Sequence, residues 1–261
     1  MYSLEHRKYI KKIKRDNFLI KISQFIIFIL IIFIWQILAD KKIINSFITS
    51  SPKEIINTII QLHKTNNLYI HIWTTIYETL ISFSLGTLIG CIVATILWWN
   101  KYIYKTIDPY LTILNSLPKV ALGPIIIIWF GAGINSIIIM ALLISVIITI
   151  INVHDGFVKT DINKINLLRS FKATKKQIFF KLILPNNYKT ILVSSKINIG
   201  MSLIGVIMGE FLVSKRGIGY LIIYGSQVFN LSLVMTGIVM LSILSIIMYY
   251  SVSLIEKRLN N

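Results

Sequence analysis

HDGFVKTDINKINLLRSFKATKKQIFFKLILP, residues His154 to Pro185, is the stretch whose reading decides the fold. It is the only long polar interval between membrane-length apolar runs. Eight cations lie in it or just beyond it: Lys159, Lys164, Arg169, Lys172, Lys175, Lys176, Lys181 and Lys189. Loops this basic stay on the cytoplasmic face of a membrane, so the interval is expected there. Two short helices are predicted inside it. Asp161 caps the first, which presents Ile162, Ile165, Leu168 and Phe171 along one side. Thr174 caps the second, Gln177 completes a capping box three positions on, and Pro185 marks the turn back into the membrane. A compact helix pair held at a membrane surface suits docking to another protein.

Composition independently demands a bilayer. Hydrophobic residues make up 55% of the 261 residues, and the mean hydropathy is +0.75; soluble chains reach roughly 45 to 50% apolar even when glycine is counted. The net charge of +17 sits in loops between apolar runs and forms no continuous face, which argues against nucleic-acid binding. Cys91 is the single cysteine and lies in an apolar run, so no intrachain disulfide is possible.

Outward from the central stretch, six membrane spans are predicted in an all-α polytopic fold. A basic N-terminus, residues 1–21, precedes a first span at 22–39, which lacks an Ala-x-Ala cleavage pattern and reads as an uncleaved helix. Residues 40–70 form an external segment in which Ile55, Ile56, Ile59, Ile60 and Leu62 give an amphipathic helix. The remaining membrane domain is 71–255. Its second span, 71–99, carries Gly86 and Gly90, a GxxxG pair that suits close packing within the subunit or against a second copy. A short cytoplasmic turn at 100–107 leads to a third span, 108–130, kinked by Pro118 and Pro124. The fourth span is 134–153, the fifth 186–213 and the sixth 231–255, with an external loop at 214–230 and a tail at 256–261.

Charge tests this topology. Nineteen cations fall on the predicted cytoplasmic side and six outside, with Lys119 and Lys196 inside spans. The asymmetry places both termini in the cytoplasm. Ionisable groups at membrane depth are Glu78, Lys119, Lys196 and Glu210. Such groups are read as functional by default. Lys119 is either a substrate contact or a long stem that snorkels to the interface, and a Glu78–Lys196 pair would neutralise two of the four.

Residues Asn166 to Pro185 resemble the cytoplasmic EAA loop of bacterial ATP-binding-cassette importer permeases, in which a Glu-Ala-Ala start is followed by a glycine and then, thirteen residues later, by the proline of a Leu-Pro pair. Leu184-Pro185 supplies that pair, and thirteen positions back lies Lys172, followed by Ala173. Asn166 occupies the glutamate position, with Leu167 and Leu168 where the alanines belong. The spacing is kept and the signature letters are partly lost. SLPKVALGPIIIIWFGAG (Ser116 to Gly133), GEFLVSKRGIGYLI (Gly209 to Ile222) and SPKEIINTIIQL (Ser51 to Leu62) are similar to segments of the branch that imports nitrate, sulfonates and taurine.

The resemblance implies a transmembrane subunit in a bacterial plasma membrane. Two copies would form the pathway, two copies of a separate ABC ATPase would grip loop 154–185, and an external binding protein would deliver the solute. The kinks at Pro118 and Pro124 make the third span a candidate to line the path; Pro118-Lys119 fits the family's general pattern, and Glu210 matches its acidic position before the turn Gly217 to Gly219, placed to orient the path or pair with Arg216. No cofactor is implied. Catalytic motifs are missing from the sequence: there is no phosphate-cradling Gly-x-x-x-x-Gly-Lys-Ser/Thr loop and no His-Glu-x-x-His, and the four histidines are scattered. The alternative class, an ion-coupled carrier or intramembrane enzyme, would need clustered groups at membrane depth.

The topology is tested by single cysteines at Lys42, Lys164 and Lys215 in a Cys91-free background. An impermeant thiol reagent applied to intact cells is expected to label positions 42 and 215 and to spare 164; the opposite pattern refutes the orientation.

Overall fold

The computed structural model describes residues 4–44, 49–65 and 67–260. Parts of the expected segments 1–21, 40–70 and 256–261 lie outside these. The regular structure of the described residues is all helical, α-helix with short 3-10 and π turns. Its elements in order are α1 (Leu4–Asp40), α2 (Pro52–Lys64), α3 (Asn67–Trp99), α4 (Lys101–Ser116), α5 (Gly123–Phe130), α6 (Ile134–Val158), α7 (Ile162–Ser170), α8 (Lys175–Ile178), α9 (Tyr188–Val213), α10 (Ile218–Gln227) and α11 (Leu231–Asn260). Among the described residues five helices are long and apolar enough to cross a membrane. A sixth candidate span is the pair of Lys101–Ser116 and Lys119–Phe130, bent by 90°.

Several boundaries differ from the sequence expectation. The basic N-terminal residues do not end before the first span; one helix runs through both. Polar residues 100–107 are no turn, because Asn100 accepts hydrogen bonds from the Tyr102 and Ile103 amides and starts α4 there. Pro118 stands at the bend, whereas Pro124 sits in the first turn of α5, where its missing N–H is harmless and it kinks nothing. The fourth span continues to Val158, the segment 214–230 contains the helix α10, and α11 continues beyond 255.

The bundle centre is α6 flanked by α3 and α9, and small residues set the spacing. A Cβ on Gly86 would lie 2.3 Å from Ser145 Oγ, one on Gly90 2.5 Å from Thr149 Cβ, and one on Gly205 2.4 Å from the Ala141 backbone. Without a hydrophobic drive between helices in lipid, this close backbone approach supplies the attraction. The GxxxG pair therefore packs on α6 within the chain. Buried hydroxyls line the same seams: Thr79 and Thr149 each donate to the carbonyl four residues earlier, which satisfies them without an outside partner. By contrast α1 exposes Phe25, Ile26, Phe28 and Phe33, an apolar surface made to face lipid.

Two helices tie the bundle's ends together. Ser51 caps α2, and Glu54 accepts from Ser232 at 2.8 Å, pinning α2 to the start of α11. Lys196 of α9 meets Glu256 of α11 at 2.6 Å, so it pairs with the C-terminal helix and not with Glu78.

Gly205 and Gly200 make a controlled comparison on one helix. Gly205→Ala forces α9 away from the Ala141 backbone, while a Cβ on Gly200 meets nothing within 4 Å. Thermal unfolding in detergent is expected to show a loss of about 1 to 3 kcal/mol for Gly205→Ala and a neutral effect or a gain of up to about 1 kcal/mol for Gly200→Ala.

Candidate functional site

The loop between α6 and α9 is built by local rules. Asp161 Oδ1 accepts from the Asn163 amide at 2.8 Å and starts α7. That helix ends in a Schellman motif: the Ala173 amide donates to the Leu168 carbonyl (3.0 Å) and the Lys172 amide to the Arg169 carbonyl (2.8 Å). The residue that closes such a motif takes the left-handed conformation, and Lys172 has φ 56°. Thr174 and Gln177 then form a reciprocal capping box, in which the Gln177 amide donates to Thr174 Oγ1 and the Thr174 amide to Gln177 Oε1 (2.8 Å).

The helix pair is seated on the bundle by aromatic packing. Phe179 is buried against Trp98 (5.1 Å), Phe157 (5.6 Å) and Trp99 (5.7 Å). Lys175 lies 5.5 Å above the Trp98 ring and donates to the Trp99 carbonyl, occupying the electronegative C-terminus of α3. A π turn at Phe179–Ile183, in which the Leu184 amide reaches back to the Phe179 carbonyl, widens the helix ahead of Pro185 and gives its ring room. Asn187, buried, donates to Thr160 Oγ1 (2.7 Å) and to the Ile183 carbonyl (2.9 Å), which closes the loop at its base.

The expected apolar side of α7 divides in two. Ile165 and Leu168, with Ala173 and Leu184, pack on the Val153, Phe157 and Phe179 cluster. Ile162 and Phe171 point away, as does Leu167, and Phe171 remains 74% exposed. Asn166, Lys172 and Pro185 are also exposed. The loop thus offers apolar side chains among the cations Lys164, Arg169, Lys172 and Lys176.

At the opposite end of the bundle a second arrangement surrounds Glu210. The turn Gly217-Ile218-Gly219 starts α10, and its amides are held by side chains from other helices. His71 Nδ1 accepts from Gly217 (3.0 Å), Thr75 Oγ1 from Ile218 (2.8 Å), and Glu210 Oε2 from Gly219 (2.5 Å). Thr75 Oγ1 also donates to Glu210 Oε1 at 2.6 Å. A negative group at a helix N-terminus meets free amides and the positive end of the dipole. Gly217, at φ 103°, is required twice over: a side chain there would be strained, and its Cβ would sit 2.3 Å from the Glu210 carboxyl.

The pathway expectation for Glu210 changes accordingly. Its carboxyl is fully buried, is in contact with that of Glu78, and forms no ion pair with Arg216. It clamps the turn at the start of α10. Pro118, Lys119 and Pro124 do gather at the bend between α4 and α5, where Lys119 Nζ donates to the Asn115 carbonyl (2.8 Å), a C-terminal group of α4 left without an amide by the break. The sequence reading missed His71 and Thr75. Their signal was a polar stripe, His71, Thr75, Glu78 and Ser82, on one face of an otherwise apolar span. Among the described residues no three His, Cys, Asp or Glu side chains gather as a metal site.

Glu210→Ala leaves the Gly219 amide and the Thr75 hydroxyl without their acceptor, and the expected loss is about 3 kcal/mol, typical of breaking one side of a buried charged network. Tryptic cleavage at Lys215 and Arg216, which flank the turn, is expected to accelerate in Glu210→Ala protein while cleavage in the loop at Lys164 does not. Unchanged cleavage at Lys215 and Arg216 refutes the clamp.

Comparison with known proteins converges on one family. Residues 86–261 match the binding-protein-dependent transport system inner membrane component. The chain is 27% identical to the formylaminopyrimidine transport permease protein ThiX of Halalkalibacterium halodurans, over 89% of this chain and 92% of that one. It is 26% identical to the putative aliphatic sulfonates transport permease protein SsuC of Bacillus subtilis (88% and 83%), and 19% identical to the taurine transport system permease protein TauC of Escherichia coli (87% and 84%). In fold it is similar to the MetNI methionine ABC transporter in an inward-facing conformation, with a TM-score of 0.63 at 21% identity over 72% of this chain and 94% of that one. It is also similar in fold to a bacterial ABC transporter involved in the import of the acidic polysaccharide alginate, with a TM-score of 0.67 at 14% identity over 97% and 100%. With more than half of its length matched, the chain belongs to the inner-membrane permease family of binding-protein-dependent ABC importers.

Proposed function

We propose that this chain is the pathway-forming subunit of an ATP-driven importer, and that it receives the force of ATP hydrolysis through loop 154–185. Two copies enclose the path, two copies of a separate ATPase bind the loops from the cytoplasm, and an external binding protein delivers the solute. The chain itself hydrolyses no ATP. Both termini lie in the cytoplasm with the loop, in keeping with the charge asymmetry. The solute is small and of the nitrate, sulfonate or taurine type, a reading supported by relatives named for sulfonate and taurine transport. The relative named for formylaminopyrimidine extends the range to small heterocycles.

The observation that carries this reading is the left-handed Lys172 between α7 and α8. A coupling element must present a rigid, angled surface to its partner, and two capped helices around a Schellman turn do so. Phe171 and Leu167 supply apolar contact area beside the turn, and the surrounding cations give steering toward an acidic cleft. The bend at Pro118, Lys119 and Pro124 is the corresponding pathway element, because non-helical backbone at membrane depth is tolerated only where protein or a water-filled cavity satisfies it.

The test is a pair of substitutions at Lys172. Holding a lysine in the left-handed region costs on the order of 1 kcal/mol relative to glycine. Lys172→Gly is therefore expected to keep the ATPase bound and to keep solute-stimulated ATP hydrolysis. Lys172→Pro cannot adopt the conformation and removes the amide that closes the turn, so it is expected to abolish stimulation. Loss of coupling in the glycine variant with retention in the proline variant refutes the assignment of the hinge.

A further inference from the structure

Glu78 of α3 is 3% exposed, and its carboxyl lies against that of Glu210, the group that holds the turn at the start of α10. Adjacent carboxyls removed from water do not both ionise unless a cation lies between them. Among the described residues neither is in an ion pair. The two therefore hold one proton and one negative charge, and their donors decide where each resides. Glu210 accepts from the Thr75 hydroxyl (2.6 Å) and from the Gly219 amide, whereas Glu78 Oε2 has no donor among the described residues. The charge belongs on Glu210, and Glu78 is the neutral acid that donates to it.

That proton has a way out. A cavity of about 450 Å³ at this end of the bundle is lined by Thr74 and Glu78 of α3, Ile134 and Ile137 of α6, and Lys215 and Arg216 of the turn. Both cations are exposed and mark its opening to solvent. The other titratable groups nearby carry no charge that would replace the proton. His71, on α3, accepts from the Gly217 amide through Nδ1 and is thereby neutral, and Tyr220 of α10 stacks on it at 5.9 Å. From α6 no titratable side chain lines the cavity. His63 of α2 packs on Tyr69, more than two turns of α3 before Glu78, and Glu256 of α11 is held by Lys196.

We propose that the proton shared by Glu78 and Glu210 latches the turn 214–219, and that its loss through the cavity releases the turn. With the turn closed the pair holds one proton. With the turn open, water hydrates both carboxylates and the pair holds none. The state that binds fewer protons gains as pH rises, by up to about tenfold per pH unit for a single proton. Alkaline solution on that face therefore opens the turn, and the proton passes to water in the cavity. Glu78 is a positioning residue, acting on the turn through Glu210. A histidine response would run the other way, because His71 gains a proton on acidification and Nδ1 then ceases to accept from Gly217. The latch is a property of the bundle and stands whether or not the chain serves an importer.

The experiment follows tryptic cleavage of the full chain in nanodiscs from about pH 7 to about pH 9, a range in which the lysine and arginine targets stay charged. Cleavage at Lys215 and Arg216 is divided by cleavage at Lys164 in the same sample, which removes the protease's own pH dependence. In the unaltered chain this ratio is expected to rise about tenfold across the range. In Glu78→Gln, whose amide donates to Glu210 without a titrating proton, it is expected to stay low and flat. Infrared spectra supply the second readout: one protonated-carboxyl band at neutral pH, lost in step with the rise in cleavage and missing from Glu78→Gln. A flat or falling ratio in the unaltered chain, a rise that persists in Glu78→Gln, or a neutral-pH spectrum without the band would each overturn the proposal. If Glu78→Gln does not insert, the infrared titration of the unaltered chain decides, and a band that does not change while cleavage rises also overturns it.

Discussion

A carboxylate inside an apolar bundle persists only when the surrounding protein replaces the water it has lost, and Glu210 is where this chain meets that requirement. Thr75 and the Gly219 amide supply its hydrogen bonds, and the N-terminus of α10 supplies a favourable field. The same contacts solve a second problem. The turn between α9 and α10 carries amides that no helix partner satisfies, and at the edge of a bilayer such groups are costly. One cluster thus neutralises a buried charge and anchors a turn. It joins α3, α9 and α10 at one end of the bundle.

From that anchor the helices run inward on small residues. Gly86, Gly90, Gly205 and Gly209 bring α3 and α9 against α6 more closely than any side chain would allow. Close packing makes the three helices a rigid unit, because interiors without voids transmit displacement and do not absorb it. The loop stands at the far end of this unit, seated on Phe179, Trp98 and Phe157. A push on α7 and α8 is therefore delivered to α3, α6 and α9 together. In contrast, α4 and α5 meet at 90° around Pro118, so this element is broken where the helices of the central unit are continuous.

The loop shows how far local rules carry. Asp161, Thr174 and Gln177 cap the helices they were expected to cap, because capping depends on residues within one turn of each other. Lys172 is left-handed despite being a lysine, since the Schellman hydrogen bonds from Lys172 and Ala173 and the packing of Leu168 and Ala173 together outweigh about 1 kcal/mol of strain. Where the sequence reading erred it met competition between local and distant forces. Residues 100–107 are polar enough for a turn, yet Asn100 is a strong cap and Leu111 is buried beside Leu97 and Ile150, so a helix forms. Pro124 has the composition of a kink and the position of a helix start.

Sequence alone determined the class of this protein: membrane-length apolar runs, a basic central interval and the pattern of caps leave room only for an all-α bundle with a surface helix pair. These signals are local or compositional, and hydropathy and capping act within a window of a few residues. Partner choice at membrane depth was decided only by the tertiary structure. Lys196 pairs with Glu256, 60 positions away, and Glu78 with Glu210, 132 positions away. An ionisable side chain takes whichever partner the helix packing brings within reach, and that packing is set by glycines and serines on three different helices, whose order in the chain carries no record of which faces will meet.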